Sequence, residues 1–230
     1  MSYRHLSWDS DLFGLRIGRI EPGSDGTLEE DLKSAERDDT RCVYLLLPAE
    51  DGAEILHAIE LGFRPYDIRV EMEAPVDGDG SRGDVHEARP EDVPELEQIA
   101  RTAFDRTRFF ADSHFPAERS AELYVAWLRR GLDTPERRTL VAGEADGFVI
   151  CHLDRENGSG AIELIGVAAG KRHGGIGGTL IRGAAGLFHD AGMSRATVVT
   201  QARNVEAQRA YQANGYRTTA VGVWLHRWAA

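Results

Sequence analysis

The stretch ELIGVAAGKRHGGIGGTLI, Glu163 to Ile181, constrains the fold more than any other part of the chain. An apolar run ends in a loop that places Gly174, Gly175, Gly177 and Gly178 beside Lys171, Arg172 and His173, and a helical pattern then begins. A strand feeding a glycine-rich turn into a helix presents unpaired main-chain N–H groups at the positive end of the helix dipole, a setting that favours an anion. The plainer reading is a glycine turn that lets strand and helix pack closely. Two common phosphate loops do not fit. No lysine follows Gly175 or any later glycine, and a G-x-G-x-x-G pattern started at Gly175 and Gly177 would need glycine where Leu180 stands.

The segment DGDGSRGD, Asp77 to Asp84, has no apolar side chain to bury and reads as a linker between 1–76 and 85–230. In the first part CVYLLLP reads as a strand. GAEILHAIELG reads as a helix with Ile55, Leu56 and Ile59 on its apolar face, and YDIRVEME as an alternating strand. That is only part of a domain. In the second part helical spacing of Val93, Leu96, Ile99 and Ala100, then SAELYVAWLRRG, gives two helices, and TLVAGEADGFVICHL gives a hairpin. AIELIGV, the glycine loop, a helix, the strand ATVVT, the helix NVEAQRAYQAN and a last strand complete the chain. The order β, α, α, β, β, β, α, β, α, β implies an α+β fold, a mixed central sheet flanked by helices.

Composition excludes several functions. The net charge of -11 and the lack of a lysine-rich run leave no basic face for nucleic acid. Cys42 and Cys151 are too few and too far apart for a disulfide framework or a zinc site, and the eight histidines lack metal-ligand spacing, so no metal is expected. Nowhere do about 20 apolar residues follow one another, and the first residues lack the basic start and apolar run of a signal peptide, so a cytoplasmic protein without membrane insertion is expected. Cys151 and His152 adjoin on a strand and point to opposite faces, which argues against a nucleophilic dyad.

RHGGIG, Arg172 to Gly177, satisfies [RQ]-x-x-G-x-[GA], and with ELIGV before it and TLI after it resembles the pyrophosphate-binding segment of the GCN5-related N-acetyltransferases, the GNAT family. NVEAQRAYQANGY fits that family's N-x-x-A-x-x-x-Y-x-x-x-G-[FY] pattern through Asn204, Ala207, Tyr211, Gly215 and Tyr216. Asn204 and Tyr211 then lie about 10 Å apart on one helix face. Taken alone, Asn204 is equally an N-cap and Tyr211 a core aromatic. The resemblance implies a GNAT acyl-CoA N-acyltransferase fold in the second part, preceded by a partial GNAT-like N-terminal domain. It also implies acetyl-CoA as cosubstrate, bound by Ile165, Gly166, Val167, Arg172, His173, Gly174, Gly175, Gly177, Gly178, Asn204 and Tyr211. Tyr211 would be the general acid. Glu163 or Asp67 would be the general base, and a sugar amine partly neutral near pH 8 needs neither.

SWDSDLFG, LGFRPYDIRVEME and AFDRTRFFADSHFP resemble a branch of the family that acetylates the amino group of dTDP-4-amino-4,6-dideoxyhexoses. This implies a nucleotide amino sugar as acceptor, with Trp8, Phe13, Arg108, Phe109 and Phe110 as its candidate contacts. The rings would stack and Arg108 would meet the diphosphate, unless Trp8 and Phe13 only dock the N-terminal segment. Another amine (a polyamine, an antibiotic, a protein N-terminus) and a non-catalytic acyl-CoA-binding module stay open, as do a homodimer and the acyl chain length.

Overall fold

The computed structural model describes residues 2–21, 26–77 and 83–229, so residues 78–82 of the expected linker lie outside the described residues. In chain order the first elements are β1 (Ser2–His5), α1 (Ser7–Phe13), β2 (Ile17–Glu21), α2 (Leu28–Arg37), β3 (Cys42–Pro48), α3 (Gly52–Glu60) and β4 (Arg64–Pro75). Then come β5 (Val85–Glu87), α4 (Val93–Thr102), α5 (Arg108–Ala111), α6 (Ala117–Asp133), β6 (Arg137–Ala142), β7 (Gly147–Asp154) and β8 (Ser159–Val167). The last are α7 (Ile176–Asp190), β9 (Arg195–Gln201), α8 (Val205–Ala213) and β10 (Arg217–Trp228). They pack as two units: Met1–Arg69 with Thr107–Arg119 and Ala220–Ala230, and Val70–Arg106 with Ser120–Thr219. Both divisions within strands fall in β4 and β10, which begin in one unit and end in the other.

In the first unit the strands run β1-β2-β3-β10, with β2 and β3 parallel and the other pairs antiparallel. The alternation of a strand decides its two faces. Ile20, Val43, Leu45 and Leu225 join Leu28, Leu32 and Ala35 of α2 and Ala58 of α3 in an aliphatic core. Helix α2 starts where Thr27 and Glu30 cap each other reciprocally: Glu30 N–H donates to Thr27 Oγ1 at 3.3 Å and Thr27 N–H to Glu30 Oε2 at 3.1 Å. The residues between these aliphatics, Arg19, Tyr44, Trp224, His226 and Trp228, fall on the opposite face, where the register sets Arg19 beside Tyr44 and Tyr44 beside His226. Of the expected apolar face of α3, Ile55 packs against this core, but Leu56 is 64% exposed and Ile59 43%, and the helix buries Ala58. A small residue is what a helix lying close to the sheet accommodates.

In the second unit the strands run β4-β9-β8-β7-β6-β5; β8 and β9 are parallel, while β5 to β8 pair antiparallel in sequence. The mixed sheet flanked by helices agrees with the expected α+β class. Leu180, Ile181, Ala184, Leu187 and Phe188 of α7 share one core with Val149, Cys151, Ile162, Val198, Tyr211 and Tyr216. Helix α7 lies hard against β8, because a Cβ at Gly160 would overlap the Phe188 ring. On the sheet's other face, a Cβ at Gly131 of α6 would meet Ile150 at 2.7 Å and one at Gly166 would meet Ile99 of α4 at 2.9 Å. Close packing on both faces fixes β8, and with it the loop that follows.

Candidate active site

Strands β8 and β9 pair only from Ser159↔Arg195 to Ile162↔Val198, although β8 continues to Val167 and β9 to Gln201. Beyond Ile162 the two strands part, and the main-chain groups of Glu163 to Val167 on the β9 side lose their ladder partners. A bulge marks the same place. Ile150 pairs with Leu164 and Cys151 with Ile162, so Glu163 is the extra residue that bends β8. A strand edge opened inside a sheet can accept another hydrogen-bonding chain of atoms in place of the missing neighbour.

The glycine loop follows directly. Ala168 N–H donates to Asp146 O at 2.9 Å, and Lys171 Nζ lies 3.0 Å from Asp146 Oδ1, so the hairpin turn before β7 holds the loop's first half and neutralises its lysine. His173 has φ +64° and Gly175 φ +84°, a left-handed backbone that turns the chain into α7. Gly175 is the N-cap of α7, and no side chain caps the helix. The helix's first main-chain bond is Thr179 N–H to Gly175 O, 3.0 Å, which leaves the N–H groups of Ile176, Gly177 and Gly178 ahead of the intrahelical ladder. A Cβ at Gly177 would meet nothing within 4 Å. These open amides sit at the positive end of a 15-residue helix with the exposed Arg172 nearby, a donor set that fits a diphosphate.

Helix α8 follows β9 on the far side of the split. Asn204 Oδ1 accepts the Ala207 N–H at 3.3 Å, so Asn204 serves as the N-cap of α8. Tyr211 is only 2% exposed and its ring centroid lies 5.5 Å from that of Tyr216. Burial, then the neighbouring Tyr216 and Cys151, push the Tyr211 phenol well above its ordinary range, so it stays a neutral donor. The Tyr216 hydroxyl is also buried, and no hydrogen-bond partner meets it among the described residues. The sequence motif ends on Tyr216, directly after Gly215, but gave it no part in the site.

Glu163 is held by a two-pronged pair: Arg137 Nε to Oε2 at 2.6 Å and Nη2 to Oε1 at 2.9 Å, with the side chains 16% and 17% exposed. Both carboxylate oxygens are thereby occupied by the guanidinium. Arg137 was missed because 26 residues separate it from Glu163. Asp67, in the first unit, is 6% exposed and its Oδ1 accepts the Ile68 N–H at 2.9 Å. Cys151 is fully buried and desolvation drives its thiol well above the ordinary range, so a thiolate nucleophile is disfavoured. Among the described residues no group of three or more His, Cys, Asp or Glu is placed to hold a metal ion, and no helix is long and apolar enough to cross a membrane.

Of the five residues expected at the acceptor, the first unit brings three together. Phe13 stacks on Phe109 at 5.6 Å, and the Arg108 guanidinium lies 4.2 Å from the Phe109 ring centroid. Trp8 is 38% exposed, and Phe110 is half-buried beside Phe109 in α5.

Comparison with known proteins places this geometry. The acetyltransferase (GNAT) family profile matches residues 94–216. The chain belongs to the GNAT acetyltransferase family: it is an acetyl-CoA-dependent N-acetyltransferase. It is 25% identical over 229 residues to the dTDP-fucosamine acetyltransferase of Escherichia coli O6:H1, a match that covers 98% of each chain. Among solved structures, a GCN5-related N-acetyltransferase from Sphaerobacter thermophilus superposes with a TM-score of 0.66 at 15% identity, covering 98% of this chain and 76% of that one. One from Kribbella flavida gives 0.62 at 16% identity, covering 100% and 91%.

Proposed function

We propose that this protein moves the acetyl group of acetyl-CoA to the amino group of a nucleotide-linked amino sugar of the dTDP-4-amino-4,6-dideoxyhexose type, by direct attack in a ternary complex in the cytoplasm. The open amides of Gly175, Ile176, Gly177 and Gly178, with those of His173 and Gly174 before them and the Arg172 charge, hold the diphosphate. The freed β8 edge from Glu163 to Val167, Ile165 and Gly166 among them, holds the amide-bearing arm in place of a neighbouring strand, and Asn204 lines the other side of the split.

Acetyl-CoA supplies an activated thioester; the chain supplies placement and polarity. Main-chain N–H groups near Gly166 and Val167 stabilise charge on the carbonyl oxygen as the amine adds. The C–N bond forms, the C–S bond breaks, and the sulfur must gain a proton. The buried Tyr211 phenol is our donor to that sulfur. Its raised pKa makes full proton transfer to a thiolate more uphill than for an exposed tyrosine, and a hydrogen bond that strengthens as charge develops is the contribution that suits it. Glu163 is committed to Arg137, which disfavours it as the base. Asp67 is the other expected candidate, and an amine partly neutral near pH 8 lightens the task.

One observation carries the acceptor: the match to dTDP-fucosamine acetyltransferase runs through 98% of both chains, the first unit included, rather than through the acetyl-CoA half alone. The test is acetyl-CoA consumption across a panel of dTDP- and UDP-amino sugars beside spermidine, an aminoglycoside and a peptide amine. A dTDP-4-amino sugar should give a kcat/KM at least about a hundredfold above the other classes, and preferential turnover of spermidine or the peptide would refute the reading.

A further inference from the structure

Arg108, expected at the acceptor's diphosphate, sits in a cluster of the first unit on the sheet face opposite its aliphatic core, most of whose members that expectation did not include. The Arg108 guanidinium carbon lies 4.0 Å from the Tyr44 ring centroid, 4.2 Å from Phe109 and 4.3 Å from Trp224. Three aromatic rings at this range enclose the guanidinium in cation–π contacts. Its Nη1–H donates to His226 Nε2 at 2.8 Å. Because arginine only donates, Nε2 must be the unprotonated nitrogen, and His226 Nδ1–H donates to Asp112 Oδ2 at 2.7 Å. Asp112 also accepts from Trp228 Nε1 at 2.9 Å, and His114 Nδ1 lies 2.8 Å from its other oxygen. His226 and Asp112 have fully buried side chains. The chain Asp112, His226, Arg108 therefore fixes one edge of the guanidinium and spends one of its five N–H donors. Tyr44 is buried, and the Arg108 charge acts on its hydroxyl.

A second guanidinium converges on the same indole. Arg19 lies 5.1 Å from the Trp224 ring centroid. Its Nε is buried with no hydrogen-bond partner among the described residues, and Glu21 Oε1, 3.9 Å away, is itself bound by Arg4 at 2.9 Å. Burial lowers the Arg19 pKa; Glu21 opposes this, while Arg108, Arg4 and Arg69 add to it. Desolvation pushes the Asp9 carboxyl up, against the charges of Arg108, Arg4 and Arg19. Two half-buried like charges with unspent donors are costly to hold together unless an anion joins them.

We propose that Arg19 and Arg108, both held at Trp224, form a binding site for a phosphate or diphosphate group, and that Asp112 and His226 are the positioning residues that fix Arg108 for it. The inference deepens the acceptor reading above and rests on it, since a nucleotide-linked sugar carries a diphosphate beside a ring able to stack.

The site can be read without the transfer reaction. The full chain, saturated with coenzyme A so that the glycine loop is filled, is titrated calorimetrically with pyrophosphate, dTDP and thymidine. Pyrophosphate and dTDP should bind, thymidine at least tenfold more weakly than dTDP. Arg19→Gln and Arg108→Gln should each weaken both phosphate ligands at least tenfold and leave coenzyme A affinity unchanged. If a Gln variant does not fold, Arg19→Lys and Arg108→Lys keep the charge without the planar fork and should still weaken binding severalfold. His226→Phe should match Arg108→Gln, and His226→Gln, which keeps an acceptor for Arg108, should restore most of the affinity. Wild-type protein that ignores pyrophosphate and dTDP, thymidine binding as tight as dTDP, or arginine variants that bind as wild type would each overturn the proposal. Arginine-dependent dTDP binding without turnover of any dTDP-amino sugar would keep the site and remove the acceptor reading. Turnover with arginine-independent binding would do the reverse.

Discussion

Tyr211 combines a motif position with nearly complete burial, and the two readings of it make different demands. A core aromatic loses little when its hydroxyl is removed; a donor to a departing sulfur loses the bond that grows in the transition state. Tyr211→Phe should therefore lower kcat at least about tenfold while acetyl-CoA affinity stays within about twofold; kcat equal to wild type would return Tyr211 to the core. His226 carries a different signal. Burial, the largest influence, brings its pKa down to about 4, so the folded chain keeps it neutral where the unfolded chain, at about 6.5, takes up a proton. The unfolded state binds more protons between these values, so His226 costs nothing above pH 6.5 and destabilises increasingly as pH falls to about 4, by on the order of 3 kcal/mol. Asp112, whose carboxyl its hydrogen bonds to His226, Trp228 and His114 hold low against burial, adds its own loss at still lower pH. Guanidinium midpoints at pH 7.5 and 4.5 should differ less in His226→Gln than in wild type. An unchanged difference would mean that some other group sets the acid response.

Helix α7 and the strand before it show what the chain spells out locally and what it does not. The glycine loop was legible because its physics is local: a left-handed turn, open amides and a helix start all lie within a few residues. Gly177 tests it cleanly. A Cβ there meets no neighbour and the backbone is not left-handed, so Gly177→Val should fold with a melting midpoint close to that of wild type. It should lose acetyl-CoA binding at least about a hundredfold, because the side chain fills the ligand's space; retained affinity would put the cofactor elsewhere. The bulge at Glu163 was not legible, since it depends on how β7 registers against β8. Nor was the pairing of Glu163 with Arg137, which comes from β6, two strands away. The Thr27–Glu30 capping box was present as a local signal and was passed over. The first part therefore proved richer than strand, helix, strand, with β1, α1, β2 and α2 ahead of CVYLLLP. The Arg19, Tyr44, Trp224 and His226 face escaped for the opposite reason: strands far apart in sequence bring it together, and only their register puts those four side chains on one face.

At the scale of the molecule, composition and chain path divide the protein differently. Polar, glycine-rich sequence marks Asp77 to Asp84, whereas the packing units exchange segments at Arg69, Thr107, Ser120 and Ala220. The elements proposed to hold acetyl-CoA, β8, α7, β9 and α8, all lie in one unit and the proposed phosphate site in the other. The two proposals therefore concern different parts of the chain, and each can be measured by its own ligand. The central claim is that acetyl-CoA takes the place of a strand along β8 and seats its diphosphate on the loop before α7. Hydrogen–deuterium exchange with and without saturating acetyl-CoA reads those amides directly. Exchange should slow in the peptides spanning Glu163–Val167 and His173–Gly178, with a smaller effect around Asn204–Tyr211 and none in β1 or β2. Unchanged exchange across both of the first two segments, in protein shown to bind acetyl-CoA, would contradict it.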